Sequence, residues 1–334
     1  FNPVQSLPSN EVCLQLNLDI PLITNVTIEE TSANGRILIK WVKPRTMDFD
    51  TIQNPGPYTY TLKRGIGFNP AAYTNIPNAN FTSLNFLDPV DTSFTDIEIN
   101  TIISPYTYIV DFFAGQGGSL YGSSTSASSV FLNVDGSDKK TILTWNELVP
   151  WSNNSFTIYR LNSIGIFDSI GTTQARVYED KNLENGEEYC YKVRTSGTYG
   201  IAGLPTPLIN FSQERCAIPI DTVPPCAPAL VITNDCLNAN SNEVILNNLS
   251  WNNPDLLCDT PGDTKGYRVY VLHEGNTEAE LIFETSDENQ TSFTYASDIY
   301  GLAGCYYVVA FDSVFNESLL SNRALYSGLT RLLS

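Results

Sequence analysis

Seven cysteines, one histidine and 36 acidic side chains are the residues of this 334-residue chain with chemistry to offer. A Ser-His-Asp hydrolase would have to use His273, the only imidazole, at the end of the run VYVLH. The Gly-x-Ser-x-Gly elbow that presents a serine nucleophile is missing. Glycosidase chemistry needs two carboxylates, which the acids always supply, but it also needs a deep cleft for the sugar. Only the long loops of the N-terminal third leave room, and then for a shallow one. Gly65-x-Gly67 and Gly115-x-Gly117-Gly118 read as loop glycines, with no P-loop or dinucleotide fingerprint around them. Calcium suits the acids better, because Asp48, Asp50, Asp135, Asp138, Asp259 and Asp263 fall in loops. Their spacing matches no EF-hand, and solvated acidic loops account for them equally well. No catalytic, cofactor-binding or metal-ligating residue is assigned, and the chain is read as a non-enzyme.

The cysteines point to covalent structure. Cys190 lies in an expected strand and Cys216 closes the next one, so the two are hairpin neighbours within disulfide reach. Cys236 and Cys258 bracket the Trp251 strand and form a second expected pair. Cys226 and Cys305 remain as a third, and Cys13 is left for a partner outside this chain. The alternative is reduced, buried thiols. Metal binding is disfavoured, since no CxxC pair is present. Paired cysteines place the chain in an oxidising, extracytoplasmic compartment.

The elements that carry these residues repeat. Trp41, Trp145 and Trp251 lie 104 and 106 residues apart, in ILIKW, TILTW and NNLSW. Aromatic runs follow each: YTYTLKRG, SFTIYRLN and GYRVYVLH, then YTYIVDFFA, YCYKVRTSG and CYYVVAFDS. The chain holds 18 Tyr, 16 Phe and 4 Trp, residues that favour a pleated, half-buried surface. Three copies of one small all-β domain are expected, over 1–132, 133–218 and 219–334. In the first, SSVFLNV is the expected last strand, and the stretches 68–87 and 115–129 read as loops. In the second, Val134 to Ser137 reads as a turn, and Leu183-x-x-Gly186-x-x-Tyr189 has tyrosine-corner spacing. Proline-rich Asp221 to Pro228 reads as a semi-rigid joint. Tyr121 and Tyr199, in glycine-rich loops, are candidate binding rings, or else lids on their own cores.

The net charge of −18 argues against nucleic acid and anionic membranes as partners. No apolar run is long enough to span a membrane. With no leader segment in view, Phe1 is expected to start a mature chain or a fragment.

The second-strand tryptophans, the aromatic third strands, the corner Tyr189 with Tyr191 and Val193, and the proline-rich joints together resemble the fibronectin type III domain. The fold class is thus all-β: three tandem fibronectin type III-like (immunoglobulin-like) β-sandwiches. NGEEYCYKV, PLINFSQERCAIPIDTVPPCAPAL and GCYYVVAFDSVFNES also resemble segments preceding the sorting domain of large Bacteroidetes surface proteins. Those belong to the gliding-motility-associated, type IX secretion (type B) class. This resemblance implies export across the outer membrane to the cell surface. It also implies O-glycosylation at Asp-Ser/Thr-apolar triplets, here at Thr51, Ser169, Thr222 and Ser313. The expected role is a rod-like structural or adhesion module meeting proteins or surface glycans, or self-assembling. The alternatives are a polysaccharide-binding accessory module and a subunit of a surface filament or secretion complex.

Overall fold

The computed structural model describes residues 18–234, 245–256, 258, 262–273, 275–297 and 302–326. Among these, the only helical stretch is one 3-10 turn, Pro254–Leu256, and everything else regular is strand.

The first sandwich comprises β1 (Leu22–Glu30), β2 (Gly35–Val42), β3 (Tyr58–Ile66), β4 (Thr74–Ser83), β5 (Ser93–Ile99), β6 (Tyr106–Ala114), β7 (Ser119–Ser123) and β8 (Ala127–Ser128). β1-β2-β5 forms one sheet and β4-β3-β6-β7 the other, with β8 also on β6. The second repeats the plan with β9 (Phe131–Ser137), β10 (Lys140–Asn146), β11 (Ser152–Leu161), β12 (Phe167–Thr173), β13 (Val177–Lys181), β14 (Tyr189–Thr198), β15 (Leu208–Phe211) and β16 (Arg215–Ala217). Its sheets run β13-β10-β9 and β12-β11-β14-β15. The third has β17 (Leu230–Asn234), β18 (Ile245–Trp251), β19 (Gly266–Leu272), β20 (Glu280–Thr285), β21 (Ser292–Ser297), β22 (Gly304–Phe311) and β23 (Ala324–Tyr326). They pair as β17-β18-β21 and β20-β19-β22-β23. Three strands facing four, all antiparallel within each sheet, make three fibronectin type III-like sandwiches.

Alternation along the strands builds the cores. β2 runs buried, exposed, buried along its length, placing Ile37, Ile39 and Trp41 inward. Trp145 and Trp251 occupy the same place in their own sandwiches, and all three indoles are buried. A polar bridge recurs as well. In the first sandwich Asp96 of β5 accepts hydrogen bonds from Arg64 of β3 and from the Tyr108 hydroxyl of β6, each at 2.8–2.9 Å. In the second, Asp180 of β13 accepts from Arg160 at 2.7 Å and Tyr191 at 2.9 Å. Each buried carboxylate thus ties one sheet to the other. In the third sandwich the bridge between the sheets is made by an amide: Asn247 of β18 donates to the Tyr306 hydroxyl of β22 at 3.0 Å.

Several boundaries differ from expectation. SSVFLNV is divided, with Ala127–Ser128 on the first sandwich and Phe131–Ser137 opening the second. The last two strands of the first sandwich, β7 and β8, lie inside the stretch expected to be loop. β4 likewise lies within 68–87, where Pro77 and three asparagines concealed it. Pro77 is tolerated because β4 is an edge strand. Val134 to Ser137 continues β9, and the turn falls at Asp138 and Lys139, the latter with φ +51°.

The first two sandwiches form one compact unit, residues 1–220, and the third forms another, 221–334. Within the first unit β1 and β15 lie side by side and run in the same direction. Side chains bridge them. Asn25 Nδ2 donates to the Ile209 carbonyl at 2.7 Å, and Asn210 Oδ1 accepts from the Val26 amide at 2.8 Å. Thr27 Oγ1 accepts from the Phe211 amide and Thr31 Oγ1 from the Glu214 amide, both at 2.8 Å. Trp151 and Leu208 are buried in the core cluster of the first sandwich. This pair is therefore joined along an edge strand of each sandwich.

Candidate functional site

The residues considered for catalysis do not converge. His273 sets Nδ1 2.9 Å from the Ala303 carbonyl oxygen and Nε2 3.5 Å from Glu280. Asp48 pairs with Arg45 at 3.2 Å, and Asp138 accepts from Asn185 at 2.8 Å. Asp50 caps its own loop, accepting from the Ile52 and Gln53 amides. Among the described residues the one cluster of three His, Cys, Asp or Glu groups is Glu188, Cys190 and Cys216, and both sulfurs are in a disulfide. Asp135 sits in β9. Asp259 lies outside the described residues.

Cys190 and Cys216 face each other across β14 and β16 and are bonded. Cys258 is bonded to Cys226. This corrects both other expected pairs, Cys236–Cys258 and Cys226–Cys305. The reason is that the segment before β17 returns to the β18–β19 loop, where Cys258 sits. Cys305 is a free thiol opposite Leu325. Cys13 and Cys236 lie outside the described residues.

The corner at Tyr189 forms as its spacing predicts. Leu183 is buried, Gly186 takes φ +87°, and the Tyr189 hydroxyl accepts from the Glu184 amide at 3.0 Å. In the third sandwich Gly304 stands at that place, and the Tyr306 hydroxyl donates instead to the Leu302 carbonyl at 2.7 Å.

Neither candidate binding ring stands free. Tyr199 packs edge-on against Trp151 at 5.8 Å and donates its hydroxyl to the Ile23 carbonyl at 2.7 Å. Burial holds its phenol well above the usual tyrosine range. It belongs to the β1/β15 seam, so of the two readings it is closer to a lid, set on the core of the neighbouring sandwich. Trp151, with no counterpart in the repeat, was the available signal. Tyr121 folds over its own core, against Phe49 and Phe112, and donates to Asp19 at 3.0 Å.

The four triplet hydroxyl residues, Thr51, Ser169, Thr222 and Ser313, are all exposed. Local turn chemistry already explains three of the triplets. Asp50, Asp221 and Asp312 each accept from the amide two residues on, Ile52, Val223 and Val314.

The most elaborate surface feature is at one end of the first sandwich, where the loops 43–57 and 84–92 meet. Phe49 enters the core there, stacking on Phe86 at 4.8 Å and meeting Tyr58, Phe112 and Tyr121 edge-on. The Tyr58 hydroxyl donates to the Asn54 carbonyl, and Lys43 Nζ donates to the carbonyls of Phe86 and Asp88. Burial pushes the Lys43 ammonium down, while Asp88 pulls it up. Gly56 is required where the loops touch, because a Cβ there would meet the Leu84 carbonyl oxygen at 2.1 Å. Between the loops lies a cleft of about 490 Å³, lined by Thr46, Thr51, Pro55, Leu84 and Leu87 among others.

No protein-family model matches the chain, and no curated protein does. Among solved structures, the FN1–FN3 domains of chicken CNTN1 are 14% identical, over 91% of this chain and 98% of that one, with a TM-score of 0.26. The central fibronectin-III array of RIM-binding protein is 11% identical, over 92% of this chain and 98% of that one, with a TM-score of 0.23. Superposition at that level carries no argument, so the fold rests on the strand order above.

Proposed function

We propose that this chain is a non-enzymatic structural and adhesion module of an extracellular protein, exported to a bacterial cell surface. The observation that carries the reading is the pair of disulfides, Cys190–Cys216 and Cys226–Cys258, each within a single compact unit. Such bonds persist where the compartment is oxidising. The Bacteroidetes type IX context rests on the sequence resemblance alone, and the four exposed triplet hydroxyls are its proposed glycosylation sites.

Proteins are the favoured partners. Sugar-binding surfaces offer an open aromatic face, whereas Phe49, Tyr58 and Phe86 at the loop end are buried. Nucleic acid and membrane insertion do not fit an acidic chain in which no described helix is long and apolar enough to cross a bilayer.

The test is non-reducing peptide mapping by mass spectrometry on protein from its native host, with protease shaving of intact cells. Linked Cys190–Cys216 and Cys226–Cys258 peptides released by shaving are expected. Free thiols at all four positions, in a protease-protected protein, would overturn the reading.

A further inference from the structure

The loop end of the first sandwich combines two properties that rarely coexist. Its loops are held by stacked rings and capping hydrogen bonds, as described above. Yet they leave Leu84 and Leu87, which line the cleft, at 75% and 79% exposure, and Met47 and Ile52, each next in sequence to the lining residues Thr46 and Thr51, at 78% and 91%. Four exposed apolar side chains on these two loops, two of them in the wall of the cleft, are the type of surface that marks an interaction site. In the second sandwich the matching connections are short: 147–151 replaces 43–57, and 174–176 replaces 84–92. The added residues thus build this surface and its cleft.

Charge narrows the occupant. The two loops carry four acids, Asp48, Asp50, Asp88 and Asp91, against Lys43 and Arg45. Lys43 is engaged by the Phe86 and Asp88 carbonyls and Arg45 by Asp48, while Asp50 and Asp88 accept only from uncharged loop amides, so four acids against two bases leave the loops two charges negative. A second copy would bring the same acidic loops against themselves, and an anionic membrane would be repelled.

We infer that this end docks a peptide segment of a partner protein, its aliphatic side chains filling the cleft and one or more Lys or Arg facing the acids. The inference rests on the adhesion reading and supplies its contact site.

The experiment pans the full chain against a display library of short random peptides and measures the enriched binders by calorimetry. Enrichment of aliphatic sequences with Lys or Arg is expected, with binding that weakens as salt is raised. The double variant Leu84→Asp/Leu87→Asp should weaken it by about tenfold or more, as should Ile52→Asp on the opposite loop. Ile164→Asp, equally exposed but on the β11–β12 connection, should leave it unchanged. No enrichment, or enriched peptides indifferent to both loop variants, overturns the inference. Glycan-array binding lost with the same loop variants also overturns the peptide assignment while leaving adhesion in place. A protease-protected, fully reduced protein in the native host would instead remove the adhesion reading, whatever the peptides do.

Discussion

Ser212 holds Val193 by both of its backbone groups: its amide donates to the Val193 carbonyl and its hydroxyl accepts from the Val193 amide, each at 2.9 Å. Ser124 does the same to Val110, and Ser321 to Val308, at the same distances. The hydroxyl stands in for a strand carbonyl, so the last strand can leave the sheet without orphaning a buried amide. The residue after the serine uses the step. Gln213 exchanges two hydrogen bonds with the backbone of Leu132, and Asn322 does so with Leu230. In the second and third sandwiches the serine thereby lets the chain after it clasp the first strand of the opposite sheet.

Ser212→Ala leaves the Val193 amide without its acceptor, and the expected loss of stability is about 1–3 kcal/mol. Urea denaturation measures it. Ser124→Ala and Ser321→Ala should cost similar amounts, and a loss confined to one sandwich would show that the three serine–valine pairs are not equivalent.

Trp151→Ala opens a cavity in a core that belongs to the neighbouring sandwich. The expected cost is about 3–5 kcal/mol. Because the seam joins the first two sandwiches, residues 18–220 should melt in one calorimetric transition in the parent and in two in the variant. Tyr199→Phe, which removes only the bond to the Ile23 carbonyl, should cost about 1 kcal/mol.

Asp96→Ala strands both Arg64 and the buried Tyr108 hydroxyl. Removing one partner of such a bridge costs about 3–5 kcal/mol. Asp180→Ala should cost less, because Thr141 Oγ1, 2.8 Å from the Tyr191 hydroxyl, can turn from donor to acceptor and accept its hydrogen bond. Equal losses in the two variants would contradict this.

Burial pushes the phenols of Tyr267 and Tyr306 up to about 12, from the ordinary value of 10.0. An unfolded chain releases those protons near pH 10 while the native chain keeps them. Their contribution to stability is therefore complete below about pH 10 and is lost as pH rises toward 12. Tyrosinate absorbance should show late-titrating groups that shift to about 10 in denaturant. Tyr306→Phe should remove one of them.

Cys305 and Leu325 face each other as Cys190 and Cys216 do in the second sandwich. Leu325→Cys should therefore form a cross-strand disulfide, seen as a linked peptide in non-reducing maps. Failure to close would show that β23 does not hold the register of β16.

The repeat of Trp41, Trp145 and Trp251 made the three sandwiches legible, because a buried ring on alternating strands leaves a periodic trace. β4 left none: Pro77 and Asn78, the latter at φ +60°, mimic a loop. Tyr199 was legible as an aromatic in a glycine loop but not as half of a seam, since its partner Ile23 is 176 residues away. The same limit applies to Cys226 and Cys258, where the bracketed tryptophan pointed to Cys236 instead. The loops 43–57 and 84–92 were visible as long, but which of their apolar side chains stay exposed depends on Phe49 and Phe86 turning inward.

The parallel course of β1 and β15 also decides how the first unit bears load. A pull at the N-terminal end of β1 and an opposite pull beyond β16 would draw the two strands lengthwise past each other. The bonds from Asn25, Asn210, Thr27 and Thr31 would then be strained together in shear, not opened one after another like a zip. A hinge between beads would stretch at low force. This pair should behave as a stiff link that yields abruptly.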